Sequence, residues 1–340
     1  MARVVVDAEG GDHGLEVILD GVCRLSIEDT DIQILLVGDA DAITEALETR
    51  QHNPARIQVR HSGGAVLMAE DPREALTARP DCSILVAMKC LASGEADALV
   101  SAGHTGATIL AASQHLERLP GIRRAALAAV HPTEGRHGPK EDPFSLILDV
   151  GATLSATAED LVNFAVMGSA YASVISDNPQ PSVALLSNGS EPNKGTPTIK
   201  RAHAALTDHP SIHFVGNVEG LDLPRGTADV VVCDGFLGNV VLKMLEGVTE
   251  VVTDLAKDAY ARKFLWRLGL TMLSQGLRQL RTMTDWKQYG GAPLLGFDGV
   301  IIKAHGRSNA RAIRNAIKVA AKAHDRGLSN EIREGLAAAN

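Results

Sequence analysis

The sequence predicts a doubly wound, mostly parallel sheet in a three-layer α/β/α arrangement, and three observations carry that expectation. Short apolar runs of strand length alternate with longer segments of helical period from the N-terminus to about residue 325. The runs are continuous in Val, Ile, Leu and Ala rather than alternating with polar residues, the pattern of strands buried on both faces. Aromatic residues make up only 3% of the chain, so small aliphatic side chains must fill the interior.

In order, residues 3–6 read as a strand and 15–28 as a helix, followed by a strand at 32–37, a helix near 41–50 and a strand-like 57–60. Residues 72–93 read as helix, with Ile84, Leu85, Met88 and Leu91 at helical spacing. A strand at 98–101 precedes a helix at 106–117. Strands at 126–130 and 145–150 flank a Gly-, Pro- and His-containing stretch expected to be a loop, with His131 and His137 in solvent. A helix follows at 158–176, a strand at 182–187, a helix at 196–208, and strands at 212–215 and 229–233. The helix from 239 runs past 255, with Val240, Val241, Met244, Leu245 and Val248 on its apolar face. A late strand at 299–303 and a helix at 308–325 complete the core. Repeated strand–helix units of this kind wind right-handed around one sheet. Residues 1–327 are therefore expected to be a single α/β/α unit with a helical protrusion at about 255–288, and 328–340 a frayed tail.

Composition excludes several functions. The formal charge is −8, which argues against a general nucleic-acid binder. Cys23, Cys82, Cys90 and Cys233 lack metal or redox spacing and suit buried thiols of a reducing compartment. The first residues lack the apolar core of a signal peptide, and no run of 18 apolar residues exists. A cytoplasmic location is the expectation.

Six strand ends carry small, polar, glycine-containing loops: 6–13, 100–106, 148–152, 187–195, 234–239 and 303–306. In a parallel sheet such carboxyl-end loops converge on one rim, where ligands bind. None matches a dinucleotide fingerprint or a P-loop. Their backbone donors, the hydroxyls of Ser101 and Thr105, and the cations Lys194 and Lys303 suit a phosphate or another oxyanion. Gly10, Gly11, Gly103, Gly106, Gly195 and Gly235 allow the backbone to approach it. Asp7 and Asp12 organise the first loop. A Ser-His-Asp or Cys-His array is not apparent in the sequence, and none is needed if phosphate is itself the nucleophile.

These motifs occur in a recognisable order: D-A-x-G-G-D at 7–12, S-A-G-x-T-G at 101–106, L-D-V-G-A at 148–152 and M-G-S at 167–169. N-K-G at 193–195, V-C-D-G-F-x-G-N-V-V-L-K at 232–243, G-A-x-L-L-G at 291–296 and I-K-A-H-G at 302–306 follow. Over essentially its whole length the chain resembles the bacterial phosphate acyltransferase (PlsX) family. The resemblance implies a fold related to phosphotransacetylases and isocitrate-type dehydrogenases. It also implies transfer of a fatty acyl group from acyl carrier protein to inorganic phosphate, giving acyl phosphate for phospholipid synthesis, without metal or organic cofactor. A homodimer at the membrane periphery is implied too, with a membrane glycerol-3-phosphate acyltransferase as downstream partner. Lys194 is the first candidate for holding phosphate or the oxyanion, and Asn239 for donating an amide N–H beside it. Lys303 is assigned to anion binding, His305 to proton handling, Asp234 to positioning a lysine and Lys243 to the phosphate region. The chain differs from the family's usual residues in four places: Glu9 stands where methionine is common, His104 and Thr153 where asparagine is common, and Gly189-Ser190-Glu191-Pro192 where a glycine followed by acids is usual.

Residues 257–287 carry Lys257, Arg262, Lys263, Arg267, Arg278, Arg281 and Lys287 against Asp258 and Asp285, with both tryptophans, Trp266 and Trp286. Basic helices with Trp and Leu on one face lie on anionic membranes or bind acidic proteins. Arg262, Lys263, Trp266, Arg267, Leu273 and Leu277 are the expected contacts, and a dimerisation hairpin is the alternative. The competing functions are a short-chain phosphotransacetylase using acyl-CoA, a dehydrogenase, and a non-catalytic scaffold for carrier protein at the membrane.

Overall fold

The computed structural model describes residues 1–28, 31–262, 272–273 and 290–338. Its strands are β1 (Ala2–Asp7), β2 (Ile32–Gly38), β3 (Ile57–His61), β4 (Ala98–Ser101), β5 (Ala126–His137), β6 (Asp142–Leu148), β7 (Ser182–Leu186), β8 (His213–Val218), β9 (Val230–Val232), β10 (Ala292–Leu295) and β11 (Val300–Lys303). Its helices are α1 (Gly14–Ile27), α2 (Ala40–Glu48), α3 (Pro72–Ala78), α4 (Ser83–Ala92), α5 (Thr105–His115), α6 (Ala158–Ser176), α7 (Pro197–Thr207), α8 (Gly235–Arg262), α9 (Ala310–Asp325) and α10 (Leu328–Ala337).

Among the described residues, eleven strands form one sheet in the order β3-β2-β1-β4-β11-β10-β5-β6-β9-β7-β8. β3, β2, β1, β4 and β11 are mutually parallel. β6, β9, β7 and β8 form a second parallel set. Between the sets lie three antiparallel pairings, β11/β10, β10/β5 and β5/β6. An odd number of reversals turns the second set upside down relative to the first. Carboxyl ends of β1, β4 and β11 therefore emerge on one edge of the sheet, here called upper, and those of β6, β7 and β9 on the opposite, lower edge. The expected single rim is two rims.

Side-chain alternation along each strand builds a core on each face. Val4, Val6, Ala98, Val100 and Ile302 point into one core with residues of α1, α6 and α9, while Val5, Leu99 and Ile301 point into the other with α4 and α5. Val241, Leu242 and Leu245 lay α8 onto that second core. Starting at the lower edge, α8 climbs the sheet at 1.5 Å per residue, so that its third and fourth turns reach the upper edge.

Local differences from the sequence reading have physical causes. Residues 72–93 form two helices, because Pro80 ends the first and the chain re-enters at Cys82 as the extended N-cap of the second. The stretch between 130 and 145 is an extended hairpin rather than a loop, and His131 and His137 are half-buried in it. The tail folds as α10, whose Leu328, Ile332 and Leu336 are buried against the core containing α6. Full burial of three such side chains contributes about 1.5–3 kcal/mol each, which orders the segment. Met272 and Leu273 are exposed, and Arg262 is the last described residue of α8. Lys263, Trp266, Arg267 and Leu277, with the rest of the expected basic protrusion, lie outside the described residues.

Candidate active site

The upper edge gathers three strand ends in register. Asp7, Ser101 and Lys303 are direct neighbours across β1, β4 and β11 and all three are buried. The Ser101 hydroxyl donates to Asp7 Oδ2 at 2.7 Å and accepts from Gly103 N at 3.0 Å. Lys303 Nζ donates to the Ala304 carbonyl at 2.5 Å. Burial pulls the Lys303 ammonium down to about 8, against the opposing attraction of Asp7 and Asp12. Burial likewise raises Asp7, with the hydroxyls of Ser101 and Ser83, the Glu9 N–H and Lys303 opposing. A buried cation beside one buried carboxylate is held in place yet retains capacity for a further anion.

The loops around this row are tied by their backbones. Asp12 N donates to the Gly306 carbonyl at 2.9 Å, and Ala304 N to Ser101 O at 2.9 Å. A Cβ at Gly10 would stand 2.5 Å from Gly103 N, so the first and second loops touch only because Gly10 carries no side chain. Gly11 and Gly106 lie in the same loops, and Thr105 opens α5. His305 Nδ1 accepts from Arg307 N at 3.1 Å. Partial desolvation keeps the His305 imidazole below its ordinary value. Glu246 of α8 opposes that shift, while Lys243, Lys303 and Arg307 add to it. Lys243 and Glu246 form an ion pair at 2.7 Å, and Glu250 lies 3.5 Å from Arg307. The middle of α8 therefore forms the far wall of the upper site. The hydroxyl of Ser308, in the same loop and buried, has no hydrogen-bond partner among the described residues.

The lower edge holds the other candidates. Asp149, after β6, accepts from Leu127 N (2.9 Å), Gly151 N (3.1 Å) and Ala152 N (3.0 Å) on Oδ1, and from Thr153 N (2.7 Å) on Oδ2. Asp149 thus braces a loop against which α8 begins. A Cβ at Gly238 would meet the Asp149 carbonyl at 1.9 Å, and one at Gly235 the Thr153 carbonyl at 2.3 Å. Asp234 Oδ1 accepts from Leu237 N at 2.9 Å, capping α8. Asn239 is exposed one turn into the helix, facing Gly151. Lys194 is exposed in the loop after β7, the neighbour of β9. That loop is closed by Asn188 Oδ1 accepting from Gly195 N at 2.9 Å. Beside it the buried Ser187 hydroxyl lacks a partner among the described residues.

One chain thus brings together Asp7, Gly10, Gly11, Asp12, Ser101, Gly103, Thr105, Gly106, Lys303 and His305, with Lys243 alongside. It keeps Lys194, Gly195, Asp234, Gly235 and Asn239 together at the other end of the strands. Ser187, Ser308 and Glu246 escaped the sequence reading, since a lone serine or a glutamate in a helix carries no local signal. All four cysteines are buried, and burial raises each thiol, which removes them as nucleophiles. Among the described residues no group of three or more His, Cys, Asp or Glu could hold a metal ion, and no helix is long and apolar enough to cross a membrane.

Comparison with known proteins gives this geometry a context. A solved phosphotransacetylase from Streptococcus pyogenes superposes with a TM-score of 0.64 at 17% identity, covering 95% of this chain and 94% of that one. This likeness concerns the fold alone. A curated protein from Desulfitobacterium hafniense strain Y51 named "Phosphate acyltransferase" is 43% identical over 99% of this chain and 98% of its own length. One of the same name from Thermosynechococcus vestitus is 42% identical over 98% of this chain and 94% of its own. A family profile described as "Fatty acid synthesis protein" matches residues 2–331, and the chain belongs to that family.

Proposed function

We propose that the protein is a phosphate acyltransferase that moves a fatty acyl group from acyl carrier protein to inorganic phosphate. The observation that carries this reading is the upper-edge cradle, a buried Lys303 flanked by three glycine loops, in a chain closely similar to proteins named phosphate acyltransferase. A phosphate oxygen attacks the thioester carbonyl, the carbon–sulfur bond breaks, and the products are the carrier thiol and an acyl phosphate. Lys303 and the loop N–H groups hold phosphate and offset charge on the tetrahedral oxygen. His305, kept neutral by its surroundings, takes the proton that phosphate loses and returns it to the departing sulfur. The carrier protein rather than acyl-CoA is the donor suggested by the basic sequence at 257–287, since carrier proteins are acidic.

Lys194, Asp234 and Asn239 join the reaction from the second copy of a homodimer. Phe236, Val240, Met244, Val248, Val251, Val252 and Leu255 leave an exposed apolar stripe along α8, beginning at the lower edge. Antiparallel packing of the first halves of two such stripes about a twofold axis sets the start of one α8 beside the middle of the other. One copy's lower-edge loops then face the other's Lys303 and His305. The basic sequence at 257–287, rather than the stripe buried between the copies, is the part that meets anionic lipid. There the acyl phosphate passes to a membrane glycerol-3-phosphate acyltransferase. Acyl phosphate formation from palmitoyl-acyl carrier protein, run for the protein and for Lys303→Met and Lys194→Ala, tests the reading. Turnover by the parent with loss in both variants is expected. Absence of turnover with carrier-linked and CoA-linked donors would favour the scaffold.

A further inference from the structure

A cavity lies away from both clusters, on the opposite face of the sheet from α8, between the β5–β6 hairpin, α6 and α9. Its volume is about 250 Å³. Apolar cavities of about 150 Å³ already accept benzene, so this one has room for a larger hydrocarbon. Val130, Phe144, Leu146, Ile175 and Val319 supply apolar wall. Two groups give it chemistry. Tyr171 is 3% exposed, lines the cavity, and its hydroxyl finds no hydrogen-bond partner among the described residues. A buried hydroxyl left without a partner keeps an uncompensated desolvation cost, which a bound acceptor removes. Burial raises this phenol well above its ordinary value, so it is a donor at all physiological pH. Lys322, also in the lining, donates to the Ile175 carbonyl at 2.6 Å. Tyr171 and Ile175 are one turn apart on α6, so the residue that bears the phenol and the carbonyl that holds the ammonium share one face of that helix.

The remaining polar groups do not invite a cation. Asp229 lines the cavity, but it already accepts from Asn178 Nδ2 (2.9 Å), Ser182 N (2.8 Å) and Ser182 Oγ (2.5 Å), with His137 at 3.8 Å. Lys140, Lys322 and Arg326 all converge on the single carboxylate of Asp177, with Asp142 further off. Nor is the row Ser145–His137–Asp229 a hydrolytic triad. Ser145 Oγ gives its proton to the Ala228 carbonyl at 2.6 Å and is absent from the cavity lining.

We propose that this cavity binds a monocarboxylate with a hydrocarbon body, the class of medium-chain fatty acids, its carboxylate held by Tyr171 and Lys322 and its chain on the apolar wall. Calorimetric titration of the full chain with octanoate, octanol and octylammonium tests this, with Tyr171→Phe, Lys322→Met and the cavity-filling Ala172→Phe beside the parent. Saturable octanoate binding is expected, weakened roughly ten- to a hundredfold by Tyr171→Phe or Lys322→Met, as loss of a hydrogen bond to a charged group does. Lys322→Met should also erase the preference over octanol, and Ala172→Phe should block binding. Acyl transfer measured without octanoate should be unchanged in Tyr171→Phe, which separates this site from the proposed reaction. Octanoate affinity unaltered in Tyr171→Phe and Lys322→Met, in protein whose thermal unfolding matches the parent, would overturn the assignment. So would failure of the parent to bind octanoate while octanol or octylammonium binds.

Discussion

Lys303 is the residue on which the proposed chemistry turns. It is a buried ammonium held to about 8, so the charge that binds phosphate is present below that pH and lost above it. The specificity constant for phosphate should therefore fall as pH rises through about 8, with Lys303→Arg moving that limb upward, as initial rates across pH 6 to 10 would show. Removing one preorganised donor from such a site typically costs about 10²–10³ in turnover, the loss expected of Lys303→Met. The same shift bears on stability. An unfolded lysine keeps its proton to higher pH than folded Lys303, so this group disfavours folding below about 8 and the penalty fades as pH rises further. At this scale the sequence was partly legible. Glycine loops with lysines announce an anion site, but which groups are already engaged is a matter of geometry. Three of the positions unlike the family show this. Glu9 accepts from Asp39 N at 2.9 Å, at the start of α2; His104 Nδ1 accepts from Ala107 N, doing the capping an asparagine side chain does; Thr153 Oγ1 accepts from Gly235 N. Each is occupied by structure.

Among the elements, α8 links the two edges of the sheet. Its start is fixed by contact with Asp149, so Gly238→Ala forces a Cβ toward a backbone carbonyl 1.9 Å away. Overpacking of this kind costs about 1–3 kcal/mol, and calorimetry should show a lower Tm together with reduced turnover. Its exposed stripe should behave as an interface: Val248→Asp is expected to shift sedimentation toward monomer and to depress activity in parallel. The C-terminal helix makes a separate test. Truncation after Gly327 removes Leu328, Ile332 and Leu336 from the core and should lower thermal stability while leaving the site residues intact. Helical period and apolar runs made most elements legible. Those that were not have short or mixed signals: β10 is only four residues, and the β5–β6 hairpin carries Pro132, Gly135 and Gly138, which read as loop punctuation.

For the whole molecule, strand direction was the feature the sequence did not carry. Each glycine loop was correctly expected at a strand's carboxyl end, yet three antiparallel pairings at the centre of the sheet send half of those ends to the opposite edge. The alternation of strands and helices specifies an α/β fold; it does not specify how the two parallel sets join, because that depends on which strand β10 chooses to pair with. The separation makes a strong demand on the proposed chemistry, for Lys194 and Lys303 can serve one reaction only if two chains meet.

Subunit complementation measures that demand directly. Lys194→Ala and Lys303→Met chains, each inactive alone, would be co-expressed with different tags and the mixed dimer isolated. A heterodimer has one site built from two intact edges and one built from two damaged edges, so it should recover about half the parent's turnover per dimer. A mixed dimer as inactive as either variant would contradict the account, placing both lysines' work within one chain or outside the reaction.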